Sequence, residues 1–188
     1  MAILNNDRER KNDLSLIRKA KKGDAKAFAQ LVKKYQRQVY YCIARMVFSH
    51  HLTDDLIQET FIKVYNNLHR FDESFPFYPW IRRIAVNTTL NRLKHEASKK
   101  TYAIAELEPT LVSDHNPIHE VENAEMLRCL RNALHRIPED QRAVFILRTN
   151  EEMSYDEIAA TLGISVGTVM SRLNRARSKL KSLLKEHI

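Results

Sequence analysis

Glycine is scarce in this chain, with only 3 in 188 residues, and runs of β-branched residues are scarce too. Both shortages favour helices over a turn-rich sheet. The 2 cysteines, Cys42 and Cys129, form no CxxC motif and no ligand cluster, so we expect two buried, reduced thiols, no metal and no cofactor. No apolar run approaches the roughly 20 residues of a membrane span, and no signal peptide follows Met1. We therefore expect an all-α, cytoplasmic protein that does not insert into a membrane.

Charge is in positive excess, with a formal net value of +8. A basic excess indicates a polyanionic partner, with nucleic acid first, although a merely soluble basic protein fits the charge alone equally well. The charge is also uneven. Residues 1–100 carry twenty Lys/Arg and ten Asp/Glu, residues 101–126 carry six Asp/Glu and no Lys/Arg, and residues 127–188 carry eleven Lys/Arg and seven Asp/Glu. Two basic blocks thus flank a short acidic one.

The acidic stretch has the composition of a linker. It contains Pro109 and Pro117, a polar run at 113–116, and no sustained helical period. We predict a flexible linker over residues 98–121 that joins two small helical domains. A flexible, solvated spacer is the plain interpretation of this composition.

Apolar spacing of three or four predicts seven helices in the two basic blocks. The first follows Asp24 as N-cap, and the second is expected to place Ile57, Phe61, Val64, Tyr65 and Leu68 on its inner face. The predicted ranges are 25–47, 53–69, 80–97, 122–136, 138–149, 154–162 and 165–184.

The segment 154–177 predicts a helix-turn-helix. Ser154 and Glu157 have the spacing of a capping box, and Gly163 offers the positive φ that the tight turn needs. An ordinary helical hairpin is the alternative, but the second helix is basic. In this motif the second helix enters the major groove of DNA. Its candidates for contact with bases or phosphates are Ser165, Gly167, Thr168, Ser171, Arg172, Asn174 and Arg175.

Two further segments are distinctive: DLIQETF at 55–61, followed by RFD at 70–72, and FYPWIRRIAVN at 77–87. They resemble the most recognisable stretch of the bacterial sigma-70 family, and 154–177 is similar to the C-terminal domain of that family. The order and spacing resemble the extracytoplasmic-function (ECF, group 4) sigma factors, over residues 13–97 and 124–184. The resemblance implies sigma region 2 at 13–97, the linker at 98–121 and region 4 at 122–188. In that family the linker threads toward the RNA exit path, so the six carboxylates of residues 101–126 are expected to imitate RNA in a basic channel. The resemblance further implies promoter-specific initiation by RNA polymerase in response to envelope or other stress.

The resemblance also assigns surfaces. It implies contact with core RNA polymerase, at its β′ clamp helices and β flap, and an anti-sigma factor as a further partner. The core-binding residues would be Asp54, Asp55, Gln58 and Glu59. Without the resemblance, these four residues would be interpreted as a solvated helix face. The minus-ten DNA residues would be Phe71, Asp72, Ser74, Phe75, Arg82, Arg83, Asn87, Asn91, Arg92 and Lys94. The minus-thirty-five element would be read by the helix-turn-helix candidates together with Arg148. Met170 stands where many relatives carry a basic residue, which puts a contact there in doubt.

Two other classes of function compete with this interpretation. A self-sufficient helix-turn-helix regulator would bind duplex DNA without polymerase, but the Phe-rich loop beside a basic helix favours single-strand binding. An enzyme would need a site built from His50, His51 and Glu59 or from the Asp54–Asp55 pair. Adjacent histidines on a helix point about 100° apart and do not easily share an ion, and no phosphate loop or nucleophile motif appears. We therefore do not expect an enzyme.

Overall fold

The computed structural model describes residues 2–100 and 120–185, and within those ranges it contains helices and no strand. This confirms the predicted all-α fold. Helices α1 to α8 span Ala2–Lys21, Ala25–Val47, His50–Asn67, Phe77–Lys100, Glu120–His135, Glu139–Thr149, Tyr155–Leu162 and Val166–Lys185, with one 3-10 turn at Leu68–Arg70. We call α1–α4 the N-terminal half and α5–α8 the C-terminal half.

Helix α1 is an element that the sequence pattern did not predict. It contributes few side chains to the core, since Ile17 and Ala20 are its buried apolar residues among those with described side chains. A buried carboxylate adds a polar anchor: Asp13 accepts hydrogen bonds from Lys34 Nζ at 2.6 Å and from Tyr35 Oη at 2.5 Å. Two apolar positions and a buried ion pair give too little periodicity for a helix to be recognised from sequence.

Helix α2 begins as the sequence predicted. The side chain of Asp24 accepts hydrogen bonds from the backbone N–H groups of Lys26 and Ala27, which an intrahelical partner cannot satisfy. The helix ends at Phe48, which adopts a left-handed conformation with φ 56°. Most side chains are strained there, and glycine is the usual residue at this position.

Helix α3 agrees with the prediction on its buried face at Phe61, Val64 and the C-cap residue Leu68, and differs from it at Tyr65. Its buried face carries Leu56, Thr60 and Val64, whereas Tyr65 is 47% exposed. The expectation that Tyr65 lies in the core is therefore wrong. Threonine accounts for the error, because Thr53 is buried with its hydroxyl bonded to the Ser49 carbonyl at 2.7 Å, so a polar residue type occupies part of the core stripe.

Helix α4 extends beyond both predicted ends. It begins at Phe77 rather than Trp80, with Pro79 in its first turn where a missing N–H costs nothing. It continues to Lys100, and α5 begins at Glu120. The predicted linker thus loses its first three and last two residues to helices, and the rest of it lies outside the described residues. Its proposed imitation of RNA stays a prediction.

The helix-turn-helix has the predicted local structure. The Ser154 hydroxyl accepts from the Glu157 N–H at 3.2 Å, and the Glu157 carboxylate accepts from the Ser154 N–H at 2.7 Å. Both bonds of the capping box are therefore present. Gly163 adopts φ 65° at the C-cap of α7, and α8 then packs against α5, α6 and α7.

The two halves pack against each other. Helix α4 contacts α6 and α7, and α2 contacts α6. One hydrophobic core joins residues such as Ile43 and Ile81 with Leu147 and Ile158. The relative placement of the halves was not predictable from sequence, and it decides which polar side chains are accessible.

Candidate nucleic-acid interface

The acidic face of α3 is open to solvent. Asp54, Asp55 and Gln58 are exposed and Glu59 is half-buried. Their spacing places them along one side of the helix, away from its buried stripe. Glu59 accepts from Lys63 Nζ at 2.7 Å, and the same Nζ lies 3.2 Å from the Thr88 hydroxyl of α4. A partner approaching this face would meet two exposed carboxylates, Asp54 and Asp55, and a third, Glu59, that Lys63 bridges to α4.

An apolar patch adjoins the acidic face, and sequence reasoning missed it. Ile62 is 61% exposed and Tyr65 is exposed beside it. The Tyr65 ring is held edge-on by Phe28 of α2, with ring centroids 4.9 Å apart. Ile62 follows Gln58 by one turn, so the side of α3 that carries the acids continues into large apolar groups. The only sequence signal was that Ile62 falls outside the apolar stripe.

The loop after the 3-10 turn presents one aromatic ring. Phe75 is 63% exposed, while the Asp72 carboxylate accepts from the Ser74 N–H at 2.9 Å and from its hydroxyl at 2.8 Å. These bonds lower the pKa of Asp72, and the charge of Lys21 acts in the same direction. The predicted residues Asp72 and Ser74 therefore order the loop that carries Phe75.

Helix α1 holds this loop in place. Arg10 donates to the Ser74 carbonyl at 2.6 Å, and Lys21 donates to the Phe71 carbonyl at 2.8 Å. Glu73 accepts from Arg18 at 2.7 Å and from Lys21 at 3.1 Å, and these two cations lower the pKa of Glu73. Sequence analysis missed these basic residues because they lie about 50 residues or more from the loop.

Phe71 requires a correction. It was assigned to minus-ten DNA, but its side chain is buried. Its ring packs edge-on against Phe77 at 5.0 Å and is tilted against Trp80 at 5.1 Å. A ring in such a cluster has no free face for a base, so Phe71 belongs to the core and Phe75 is the open ring.

The polar residues predicted on α4 divide into two groups. The exposed group contains Arg83, Asn91, Arg92 and Lys94. Arg92 donates to Glu96 at 2.9 Å, and the pKa of Arg92 is raised by Glu96 first and then by Asp55 and Glu59. Arg92 therefore lies toward the acidic face of α3. The second group, Arg82 and Asn87, faces the C-terminal half and is half-buried.

Helix α8 presents its outer face to solvent. Ser165 accepts from the Thr168 N–H at 3.1 Å, and Ser171 donates to the Thr168 carbonyl at 3.0 Å. These predicted hydroxyls therefore have partners within the helix. Arg172 pairs with Asp140 of α6 at 3.0 Å. The exposed members of the predicted set are Ser165, Gly167, Asn174 and Arg175, and Met170 is exposed among them.

Arg148 was expected from the sequence to contact DNA, but its guanidinium is bound to groups within the protein. It donates to the Met153 carbonyl at 2.8 Å, and its guanidinium lies 5.4 Å from the centre of the Tyr155 ring. The side chain is half-buried. In this structure Arg148 braces the loop between α6 and α7, and a contact with DNA would add to that role.

Two of the residues considered for a metal site, His50 and Glu59, have other partners. The Tyr40 hydroxyl and His50 Nδ1 lie 2.7 Å apart, and the described ranges contain no group of three or more His, Cys, Asp or Glu that could hold a metal ion. Cys42 is buried and Cys129 half-buried, both as free thiols. Burial raises the pKa of the Cys42 thiol to about 12. None of the described helices is long and apolar enough to span a membrane.

Known proteins share both halves of this chain. Residues 31–99 match the family model described as sigma-70 region 2, and residues 127–180 match sigma-70, region 4. The ECF RNA polymerase sigma-E factor of Haemophilus influenzae is 34% identical over 182 residues, which cover 93% of this chain and 96% of that protein. The chain belongs to the sigma-70 family, in its extracytoplasmic-function group. The expected sigma factor function is therefore confirmed, and the family is one of transcription initiation factors rather than of known enzymes.

Two solved structures have the same fold. CnrH, in complex with the cytosolic domain of CnrY, is 26% identical, with a TM-score of 0.64 over 93% of this chain and 98% of that one. The sigma factor RpoE of Bartonella quintana, in complex with the anti-sigma factor NepR, is 23% identical, with a TM-score of 0.68 over 86% and 98% of the two chains. The second likeness shows the fold alone.

Proposed function

We propose that this sigma factor uses three separate surfaces in initiation: the side of α3 for core RNA polymerase, the Phe75 loop with α4 for minus-ten DNA, and α8 for minus-thirty-five DNA. The observation that carries the proposal is the outer face of α8. There Gly167, Asn174 and Arg175 are exposed on a basic helix whose first turn is capped by Ser165. Such a face fits the major groove.

For the minus-thirty-five element, chemistry assigns separate roles to the exposed residues of α8. Arginine binds guanine in a bidentate way and asparagine binds adenine, each contributing about 1–3 kcal/mol of discrimination. Arg175 and Asn174 are the residues placed for this. Gly167 has no side chain, so the backbone can approach the DNA closely, and the apolar Met170 suits the methyl group of thymine. This chain thereby replaces a charged contact with an apolar one.

For the minus-ten element, Phe75 supplies the stacking surface and α4 supplies the polar contacts. Stacking of a base on an aromatic ring contributes about 1–3 kcal/mol in single-strand binding. The loop that presents Phe75 is pre-ordered by Asp72 and by α1. Arg83, Asn91 and Lys94 then extend along α4 as exposed donors. Arg82 and Asn87 would join them only when the C-terminal half moves away.

For core polymerase, the proposal combines charge with apolar area. Asp54, Asp55 and Gln58 suit a basic partner helix, and Ile62 with Tyr65 supplies burial beside them. Exposed charges alone contribute little affinity, whereas a large buried side chain contributes about 1.5–3 kcal/mol. The resemblance also supports control by an anti-sigma factor, a response to stress, a contact with the β flap, and a location in the cytoplasm.

The test is transcription in vitro from a randomised promoter library, with and without core RNA polymerase. We expect specific transcripts only when both proteins are present, with conserved bases at both promoter elements. Substitution Arg175→Ala should relax the upstream element alone, and Phe75→Ala should weaken initiation at all promoters. Selection of duplex DNA by the protein alone, with no gain in initiation, would support the stand-alone regulator instead.

A further inference from the structure

A groove lies between the start of α6 and the second half of α8. Its volume is about 610 Å³. Gln141 lines it from α6, and Asn174, Arg175, Ser178, Lys179 and Ser182 line it from α8. Two of these residues, Asn174 and Arg175, also belong to the outer face of α8 that is proposed to read DNA. The groove therefore continues that face toward the C-terminal end of the helix.

The lining of this groove is rich in hydrogen-bond donors and includes no carboxylate. Arg175 and Lys179 supply two cations, and Ser178 and Ser182 supply two hydroxyls. Within the described part of the chain, none of these four side chains has an ion pair or a hydrogen bond to another protein group. All four are exposed, so their donors are available to an anion from outside the protein.

The acidic residues at the start of α6 do not neutralise the groove. Glu139 and Asp140 lie in the first turn of that helix, but neither of them lines the groove. Asp140 instead forms an ion pair with Arg172, in which Oδ2 lies 3.0 Å from Nε. The charge of Asp140 is therefore balanced by Arg172, and the positive charge of Arg175 and Lys179 remains in excess.

The spacing of the donors suits an extended anion. Lys179 follows Arg175 by four residues, so the two cations lie on one side of α8, about 6 Å apart along its axis. Charges along one strand of a DNA duplex are spaced about 3.4 Å along the duplex axis, so two long cationic side chains can reach neighbouring phosphates. Lysine, arginine, serine, asparagine and glutamine are also the residue types that commonly hold DNA phosphates.

We propose that the groove between α6 and α8 binds the phosphate backbone of one DNA strand beside the minus-thirty-five element, with Lys179 as its central cation. The inference rests on the proposed reading of that element by α8. Phosphate contacts fix the register of a protein on the duplex and carry no sequence information themselves. The groove thus sets the position at which Asn174 and Arg175 meet the base edges.

The experiment compares Lys179→Ala with Lys181→Ala in the holoenzyme formed with core RNA polymerase. Both lysines are exposed on α8, but Lys181 does not line the groove. The probe is a labelled promoter duplex carrying the elements that the randomised library returns, and its affinity is measured by anisotropy over a series of salt concentrations. We expect K179A to weaken binding roughly threefold to tenfold on every sequence. It should also reduce the salt slope by about one and leave the base preference unchanged. K181A should bind as the parent chain does.

Methylphosphonate linkages in the same duplex locate the contact, because each replaces one charged phosphate by a neutral group. With the parent holoenzyme, substitution at one or two neighbouring phosphates flanking the upstream element should weaken binding by a factor similar to that of K179A. With K179A, the penalty at those phosphates should disappear while the penalties elsewhere stay. A merely structural role of Lys179 would leave all of the penalties in place.

The outcomes separate the groove from the reading of the element. If K179A keeps the affinity and the salt slope of the parent, the groove does not hold the backbone and the proposal is overturned. If K179A weakens binding but keeps every methylphosphonate penalty, Lys179 contacts an acidic protein surface instead, and the proposal is again overturned. In both cases a relaxed base preference of Arg175→Ala would still support the reading of the element by α8. If R175A and Asn174→Ala both keep the parent's base preference, that reading itself fails, whatever K179A does.

Discussion

At the scale of single residues, two phenylalanines four positions apart have opposite surroundings. Phe71 packs between Phe77 and Trp80, whereas Phe75 projects from a loop held by Asp72. Both lie in the Phe-rich segment that the sequence associated with single-strand binding. Sequence could identify the segment but not sort its rings, because burial of Phe71 depends on residues that only the folded helix α4 brings near.

We predict that Phe75→Ala separates function from stability. The free energy of unfolding should change by less than about 0.5 kcal/mol, as for most exposed positions, while binding to single-stranded promoter DNA should weaken by about 1–3 kcal/mol. Phe71→Ala should instead lower the free energy of unfolding by about 3–5 kcal/mol, because it opens a cavity in the core. Urea denaturation and anisotropy measure the two quantities. Equal loss of stability in both variants would contradict the assignment.

Two glycines of the helix-turn-helix give a matched pair at the scale of the element. Gly163 has φ 65° and no atom within 4 Å of an added Cβ, whereas Gly167 has no positive φ and meets only Ser165 Oγ at 3.9 Å. Gly163→Ala should therefore cost about 1–2 kcal/mol of stability through backbone strain alone. Gly167→Ala should stabilise α8 by about 0.5–1 kcal/mol. Chemical denaturation checks both, and stabilisation by G163A would show that the turn is not constrained.

The capping box of α7 should make stability depend on pH. Hydrogen bonds from Ser154 lower the pKa of Glu157 from its ordinary value of 4.5. Its contribution is thus fully present above that value and is lost as the pH falls through the lowered pKa. The difference in free energy of unfolding between the parent chain and Glu157→Gln should be constant near neutral pH and shift in favour of the variant below about pH 4. A difference that stays constant down to pH 3 would exclude this role of the carboxylate.

The C-terminal elements were predictable from sequence because their determinants are local. The capping box, Gly163 and the apolar spacing of α8 all act within a few residues of one another. Helix α1 and the burial of Thr53 in α3 were not predictable for the opposite reason. They depend on Asp13 bonding to Tyr35 and on the Thr53 hydroxyl bonding to the Ser49 carbonyl, and neither interaction appears in a hydrophobic pattern.

At the scale of the whole molecule, the relative placement of the halves determines which candidate residues are accessible. The sequence indicated two domains with a linker between them, and nothing in its composition suggested that one domain would cover the other. That placement depends on contacts between residues some 70 positions apart, such as Tyr78 with Glu151. The sequence thus indicated a candidate set of DNA-binding residues on α4, and the fold separates the accessible members of that set from Arg82 and Asn87.

Thermal unfolding measures how strongly the N-terminal and C-terminal halves are coupled. Trp80 is the only tryptophan and lies in the N-terminal half, so its fluorescence reports that half, whereas far-ultraviolet circular dichroism reports helices of both. Because one core joins the halves, we expect the two thermal transitions to coincide in the parent chain. In a Phe48→Gly, Glu151→Gln double variant the transitions should separate by several degrees, because the ring contacts of Phe48 and the ion pairs of Glu151 between the halves are lost. Coincident transitions in the double variant would mean that the remaining contacts, chiefly apolar packing, couple the halves and that Phe48 and Glu151 contribute little to this coupling.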